Sequence, residues 1–522
     1  MVDPSTDASP ACPQRGRWTV RHWAAFTAIL IAAGGLRIAA AHNDLWLDEI
    51  WSLDLAGKVH APIEVFTSLH HDNNHYLNTL WLWVVGPEGN WFSYRLVSLL
   101  AGMGTVVLAG MIGARRDAAT GWIAMLVFGV SYVMVLYSSE ARGYGMVCFF
   151  ALWGFHSLER FFAKRSWTAA AIYVVSVVMG LLSQPVFVSF LAAAILASLV
   201  WLMRPLFSNF AGMVRPNVGS IGPASSARPA SASAAERGTA PLKPTIWSAL
   251  AVIAIQLVPL LALLLLYLVD LRQLTIGGGT SSESLLHSYA SALAWTLGTP
   301  LTGVPLAFGC LVAIALCGAG LQLVWRESPD QAVFFLGVIV VFPLGLAIVR
   351  ASSVLYPRYF ILSMEFLLLL MSFWLGSLWT GQSRWHRTAA VAIVLAFCVA
   401  NGVHLASLLR HGRGDTSGAL RFMAERTPGP VISLSADNGF RIAYPAVYIA
   451  RTAVPDKTIR VSRMGPALAD GPEWFICHKE SFEPPVPYSA ELFGRTAHPY
   501  RLEATFPAAP LSGLHWFVYR RQ

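Results

Sequence analysis

The chain has 522 residues, with 37 Lys and Arg against 28 Asp and Glu, for a formal net charge of +9. Charged residues make up 12% of it and hydrophobic residues 55%, where a soluble chain carries roughly 25% charged residues. This excludes a soluble cytosolic enzyme, a disordered protein and a fibrous repeat, and it leaves a polytopic helical membrane protein.

In chain order, residues 1–19 are polar and read as a cytoplasmic tail without a cleavable signal. The first apolar run, 20–41, is too long for a signal sequence and reads as an uncleaved span. Ten further runs of spanning length are predicted at 96–114, 121–138, 144–163, 167–183, 185–203, 246–269, 303–324, 331–349, 359–378 and 387–407. The expected fold class is therefore an all-α bundle of about eleven transmembrane helices. The stretch 76–85 is too short to cross about 30 Å of hydrocarbon and is predicted as a juxtamembrane or re-entrant helix.

Cations set the orientation. Arg15, Arg17, Arg21, Arg115, Arg116, Lys164, Arg165, Arg326, Arg384 and Arg387 all fall on one side, which is read as cytoplasmic. The basic sequence at the ends of apolar runs speaks for a membrane surface and against nucleic acid. Residues 204–245, rich in Pro, Ala and Ser, read as a flexible cytoplasmic loop. Residues 408–522 hold 24 of the 65 charged residues. Runs such as PVISLS and LHWFVY predict strands there, in a small extracytoplasmic α/β domain. The six cysteines have no spacing that suggests a zinc site or a disulfide framework.

The chemistry concentrates in the extracytoplasmic loop 42–75. It contains Asp44, Asp48, Glu49, Asp54, Glu64 and Asp72, six of the 18 acids in the first 407 residues. His70, His71 and His75 join them, with Trp46 and Trp51. Adjacent carboxylates beside apolar flanks can supply a general base and a group that binds a metal or positions an acceptor; a solvated loop has the same composition. A divalent metal held through Glu49 and His75 is one such expectation, with no other cofactor indicated.

Further along, Glu140 and Arg142 in YSSEARGYGM either face a cavity or pair with one another at a helix turn. Arg350, Arg358, Tyr356 and Tyr359 in RASSVLYPRYF make either a cationic aromatic site for a phosphate or an interfacial aromatic belt. Glu365 follows two turns into an apolar run and is expected to face a cavity or a partner. Arg272 stands in an outside loop with three glycines.

As a set, these motifs resemble a known family. Leu47-Asp48-Glu49, a His-containing motif before a short helix, Arg95-Leu96, the segment Tyr137–Tyr144 and Pro357-Arg358-Tyr359 are similar in order to the GT-C membrane glycosyltransferases. Within these the match is to the dolichyl-phosphate-mannose–protein mannosyltransferase type (glycosyltransferase family 39-like) and its aminoarabinose transferase relatives. The resemblance covers about residues 20–410. It implies a catalytic membrane domain over 20–407 in a bacterial inner membrane. It also implies transfer of a hexosyl or pentosyl group from a polyprenyl-phosphate sugar to a glycan, lipid or protein acceptor on the extracytoplasmic face. Asp48 would then be the general base and Glu49 its helper. Arg358, Arg142, Arg350 and Tyr359 would bind the donor phosphate. Asp72, Asn74, His75, Glu140 and Arg272 would line the substrate site. Relatives often carry a proline pair before the short helix, where this chain has Asp72-Asn73-Asn74-His75-Tyr76. The competing expectation is a transporter or flippase of a lipid-linked glycan.

Overall fold

Local capping signals start several helices where the sequence places apolar runs. α1 (Val20–Ala41) leads to α2 (Leu47–Gly57), the single turn α3 (Glu64–Thr67) and α4 (Tyr76–Val85). α4 occupies the stretch read as too short to span. At α5 (Trp91–Ala114), the Asn90 side chain accepts from the Phe92 and Ser93 amides, and Ser93 returns a contact to the Asn90 amide. This reciprocal cap satisfies the free N–H groups of the first turn. The computed structural model describes residues 20–213, 246–275, 277, 285–300, 304–349, 356–462, 471–488 and 499–522.

α6 (Ala118–Val130) and α7 (Tyr132–Ser138) were expected as one span, but they meet at 60°. The break at Ser131 frees backbone groups, and distant side chains take them up. Arg37, 1% exposed, donates to the Phe128 and Gly129 carbonyls. The Tyr132 amide donates to Asn401 Oδ1 at 2.7 Å. In a membrane interior such a break holds only when neighbouring helices re-satisfy the backbone in this way.

The bundle continues through α8 (Tyr144–Lys164), α9 (Trp167–Ser183), α10 (Val188–Met213), α11 (Ile246–Val269), α12 (Leu285–Thr296) and α13 (Leu306–Glu327). α14 (Pro329–Leu336) and α15 (Phe342–Val349) follow, joined by a wide turn at Gly337–Val341. α16 (Ile361–Thr380) is the axis: every residue from Phe360 to Phe373 is buried. Phe366 meets Phe155, Phe334 and Phe335 there in edge-to-face contacts. Glu365 departs from expectation: it is fully buried, and neither carboxyl oxygen has a hydrogen-bond partner. α17 (Arg384–His411) carries the chain out of the bundle.

Among the described residues seven helices are long and apolar enough to cross a membrane, or eight if α6 and α7 count as one bent span. Eleven were expected. The remaining expected spans are helical but fall short: α9 has 17 residues, α8 ends in Glu159, Arg160 and Lys164, and Pro329–Gly345 is a short apolar helix. The expected loop 204–245 begins as helix, since α10 runs to Met213; residues 214–245 lie outside the described residues.

The tail forms α18 (Thr416–Arg426), β1 (Val431–Ala436), α19 (Tyr444–Ala453), β2 (Thr458–Val461), β3 (Trp474–Glu480), β4 (Tyr500–Phe506) and β5 (Leu514–Arg521). The five strands make one mixed sheet in the order β2-β1-β3-β5-β4. β1 is parallel to β2 and β3, while β5 is antiparallel to β3 and β4. Ile432, Leu434, Trp474, Ile476 and Trp516 share one apolar core with Leu45, Ile50, Leu82 and Tyr94. The sheet domain is thus fused to α2 and α4, and this union fixes what α2 presents.

Candidate active site

α2 opens with an anchor. Glu49 is fully buried, and both its oxygens are taken by Arg95: Nε to Oε1 at 2.7 Å and Nη2 to Oε2 at 2.5 Å. The Trp46 amide donates to Oε2 and the Ala141 amide to Oε1. Burial alone would raise this carboxyl, but the Arg95 charge and hydrogen bonds, with help from Arg413, hold it below the ordinary carboxylate range. Glu49 therefore ties α2, α5 and the 139–143 turn together. It does not line the cavity, although it was expected as a catalytic or metal-binding group.

One residue earlier, Asp48 points the other way. Its Oδ2 lies 3.0 Å from Arg142 Nη1 and 3.4 Å from Arg358 Nη2. Adjacent acids on one helix so have separate work: one pins the helix and its neighbour faces the arginines. The pairing is not well aligned, because Asp48 Oδ2, Arg142 Nε and Nη1, and Arg358 Nε all lack a hydrogen bond of good geometry. Buried polar atoms are rarely left so, and several around one cavity mark a place for a ligand.

That cavity has a volume of about 200 Å³. Asp48, Arg142 and Arg358 form its charged floor, and Trp46, Trp51 and Tyr356 give it aromatic walls. Arg358 lies over the Tyr356 ring at 4.3 Å. Tyr359 stands behind, half-buried, with its ring 5.8 Å from the Arg358 guanidinium.

Arg142 is held from a third side. Its Nη2 donates to Asn73 Oδ1 at 2.8 Å and lies 3.3 Å from His75 Nε2. Asn73 in turn donates to the Asp48 carbonyl and Ser52 Oγ. Burial, with the charges of Arg142 and Arg358, holds the His75 imidazole well below its ordinary value, so it is neutral.

Asp72 lines the cavity, with His71 Nδ1 3.0 Å from its Oδ1. Burial pushes this carboxyl up; the hydrogen bonds from His71 and the Gly277 amide outweigh that and leave it below the ordinary range. The loop after α11 is bound to this segment by His70 and Tyr76, which both contact the buried Asp270.

Other expected residues stand elsewhere. The Asn74 side chain is spent on the Val65 and Leu69 carbonyls. Glu140 is fully buried, accepts from Trp46 Nε1 at 2.8 Å and has Arg413 Nε 3.9 Å away. Burial raises its carboxyl despite Arg413 and Arg142. Neither lines the cavity, and both act as supports. Arg272 is exposed on a short turn, also away from the lining. Arg350 lies outside the described residues. For a metal, Glu49 and His75 do not converge: each faces an arginine, which does not fit a dication. Among the described residues no three His, Cys, Asp or Glu side chains are grouped to hold one.

The tail supplies what sequence reading missed. Asn438, Phe440, Arg441, Glu480 and Leu514 complete the cavity lining. Phe440 meets Trp51 edge-to-face at 4.8 Å, and Arg441 pairs with Glu480. No local motif marks these residues; only the docking of the sheet domain on α2 brings them here.

No family model matches the chain, and no curated protein matches it. Among solved structures it is similar to the crystal structure of ArnT from Cupriavidus metallidurans bound to undecaprenyl phosphate. The identity is 11% and the TM-score 0.46, over 96% of this chain and 98% of that one. It is also similar to ArnT from the same organism in the apo state, at 13% identity and a TM-score of 0.46 over 95% and 98%. Similarity at this level assigns no substrate and no residue role here, so function has to be read from the site itself.

Proposed function

We propose that this chain is an integral membrane glycosyltransferase that moves a sugar from a polyprenyl-phosphate donor to an acceptor hydroxyl on the extracytoplasmic face. The observation that carries this reading is one carboxylate set against two incompletely bonded arginines, one buried and one partly buried, at the floor of a small aromatic cavity. Arginine guanidinium suits phosphate oxygens. Aromatic walls suit the C–H faces of a sugar ring. The apolar bundle beside the site suits a lipid tail. Residues 20–407 form the catalytic membrane unit and 408–522 an extracytoplasmic domain, with the N-terminus cytoplasmic.

Without donor, Asp48 occupies the anion position between Arg142 and Arg358. Donor phosphate takes that position over and releases the carboxylate. Asp48 then accepts the proton of the acceptor hydroxyl while its oxygen bonds to the anomeric carbon. The bond from that carbon to the phosphate oxygen breaks, and Arg142 and Arg358 compensate the charge left on polyprenyl phosphate. Attack opposite to the leaving group needs no covalent intermediate and inverts the anomeric centre. Neutral His75 and Asn73 orient Arg142, and Glu49 with Arg95 fixes α2.

The test is release of polyprenyl phosphate from a panel of polyprenyl-phosphate sugars, with cell-envelope extract as acceptor source. Wild-type release that is lost in Asp48→Asn supports the reading. Lipid scrambling without release would instead favour a flippase.

A further inference from the structure

A second cavity, of about 390 Å³, lies at the other end of the bundle, between α1, α5, α6 and α8. Its position follows from two helices independently. α5 bears Arg95 at the candidate active site and Arg115 at this cavity, and α8 runs from Tyr144 beside Arg142 to Lys164 here. Twenty helical residues rise about 30 Å, the thickness of a bilayer's hydrocarbon core. The two cavities therefore stand at opposite membrane surfaces.

The lining divides by chemistry. Arg115, Arg160 and Lys164 supply the charge, and no Asp or Glu lines the cavity. None of the three forms a salt bridge among the described residues. Arg116, next to Arg115, differs: it is paired with Glu327 at 2.7 Å and lies over the Phe373 ring. The nearby Glu159 is engaged by Gln331. At the back, His156 is 7% exposed, and its Nδ1 has no hydrogen-bond partner. The remaining wall is apolar, with Trp122 inside and Met111 at the lipid-facing edge, 47% exposed.

Cations with no carboxylate in the cavity lining, at a membrane surface, above an apolar wall and beside an unpartnered buried ring nitrogen, describe a site for a charged group attached to a hydrocarbon chain. We propose that this cavity binds an anionic phospholipid of the leaflet opposite the active site. The headgroup phosphate meets Arg115, Arg160 and Lys164, His156 Nδ1 contacts a headgroup oxygen, and an acyl chain lies against Trp122 and Met111. Basic pockets between spans recognise lipid headgroups by this combination. A zwitterionic lipid brings its own cation and gains little.

The test uses the full-length protein in detergent micelles, titrated with phosphatidylglycerol or phosphatidylcholine, with bound lipid counted by native mass spectrometry. Wild type is expected to retain phosphatidylglycerol selectively and to gain thermal stability from it. Arg115→Ser, Arg160→Ser and Lys164→Ser are each expected to weaken retention about fivefold. Ala163→Asp, at an exposed position of the same lining, is expected to weaken it too, and Lys164→Arg to preserve it. Equal thermal stability of the variants in phosphatidylcholine checks folding. Equal retention of the two lipids overturns the proposal, as does unchanged phosphatidylglycerol binding in the folded variants. Displacement of phosphatidylglycerol by millimolar inorganic phosphate would also overturn it, since the site would then recognise a free anion.

Discussion

Asp48 and Glu49 are neighbours with the same chemistry, and their partners separate their roles. Glu49 meets one arginine through two aligned contacts, while Asp48 meets two through imperfect ones. A loosely held carboxylate can give up its partners to an arriving phosphate; a bidentate one cannot. In the proposed reaction Arg358 faces the place where leaving-group charge develops, and lysine cannot reproduce its fork. Arg358→Lys is therefore expected to lower kcat by about 10²–10³, with a smaller change in donor binding, as steady-state kinetics would resolve. His75 gives a pH signature. Its imidazole is held well below the ordinary value of 6.5, so the unfolded chain binds the proton more readily. The stability this gives is whole above 6.5 and declines as pH falls below it. Thermal unfolding of His75→Gln is expected to show a flatter decline over that window, and an unchanged slope would contradict the assignment. Asp48, Arg142 and Arg358 were legible in the sequence because charge in apolar surroundings is conspicuous. Asn73 was not singled out, since an asparagine in a polar loop carries no signal until its partners are known.

At the scale of elements, α2 is placed by a buried ion pair and not by its own length. Eleven residues form a marginal helix in isolation. The Glu49–Arg95 pair, with neither side chain exposed, joins it to α5. Removing one partner of such a pair leaves an uncompensated charge and costs about 3–5 kcal/mol. Glu49→Gln is thus expected to lower the unfolding temperature as well as activity, and Glu49→Leu with Arg95→Met to recover stability without activity. A thermal shift series reads both. Apolar runs located the long helices of the bundle but not α12 (Leu285–Thr296), and the short α4 was legible because ten residues cannot span. The 60° break between α6 and α7 was not legible. Its causes, Arg37 and Asn401, are about 90 and 270 residues away in sequence, beyond any local pattern. Of the eleven expected runs, eight pass by length and apolarity, counting α6 with α7, and the other three are shorter or less apolar helices of the bundle.

For the whole molecule, the sheet domain and the bundle act as one body around the cavity. The shared core from Ile50 to Trp516 seats Phe440 and Arg441 opposite Asp48. Two of the domain's strands, β1 and β5, were readable from short apolar runs, while its place over the site was not. In the proposed reaction the floor handles phosphate, and the roof is left to meet the acceptor. Arg441→Ala and Glu480→Ala are accordingly expected to raise the acceptor KM several-fold with little change in kcat, in kinetics at saturating donor. The most direct measurement is polyprenyl phosphate release by purified wild type beside Asp48→Asn, together with binding of free polyprenyl phosphate to both. Loss of the general base is expected to cut release by about 10²–10⁴. Binding should be kept or tightened, because the two arginines lose their competing anion. Release by Asp48→Asn near the wild-type rate, or binding lost along with it, would contradict the assignment of Asp48 as the base.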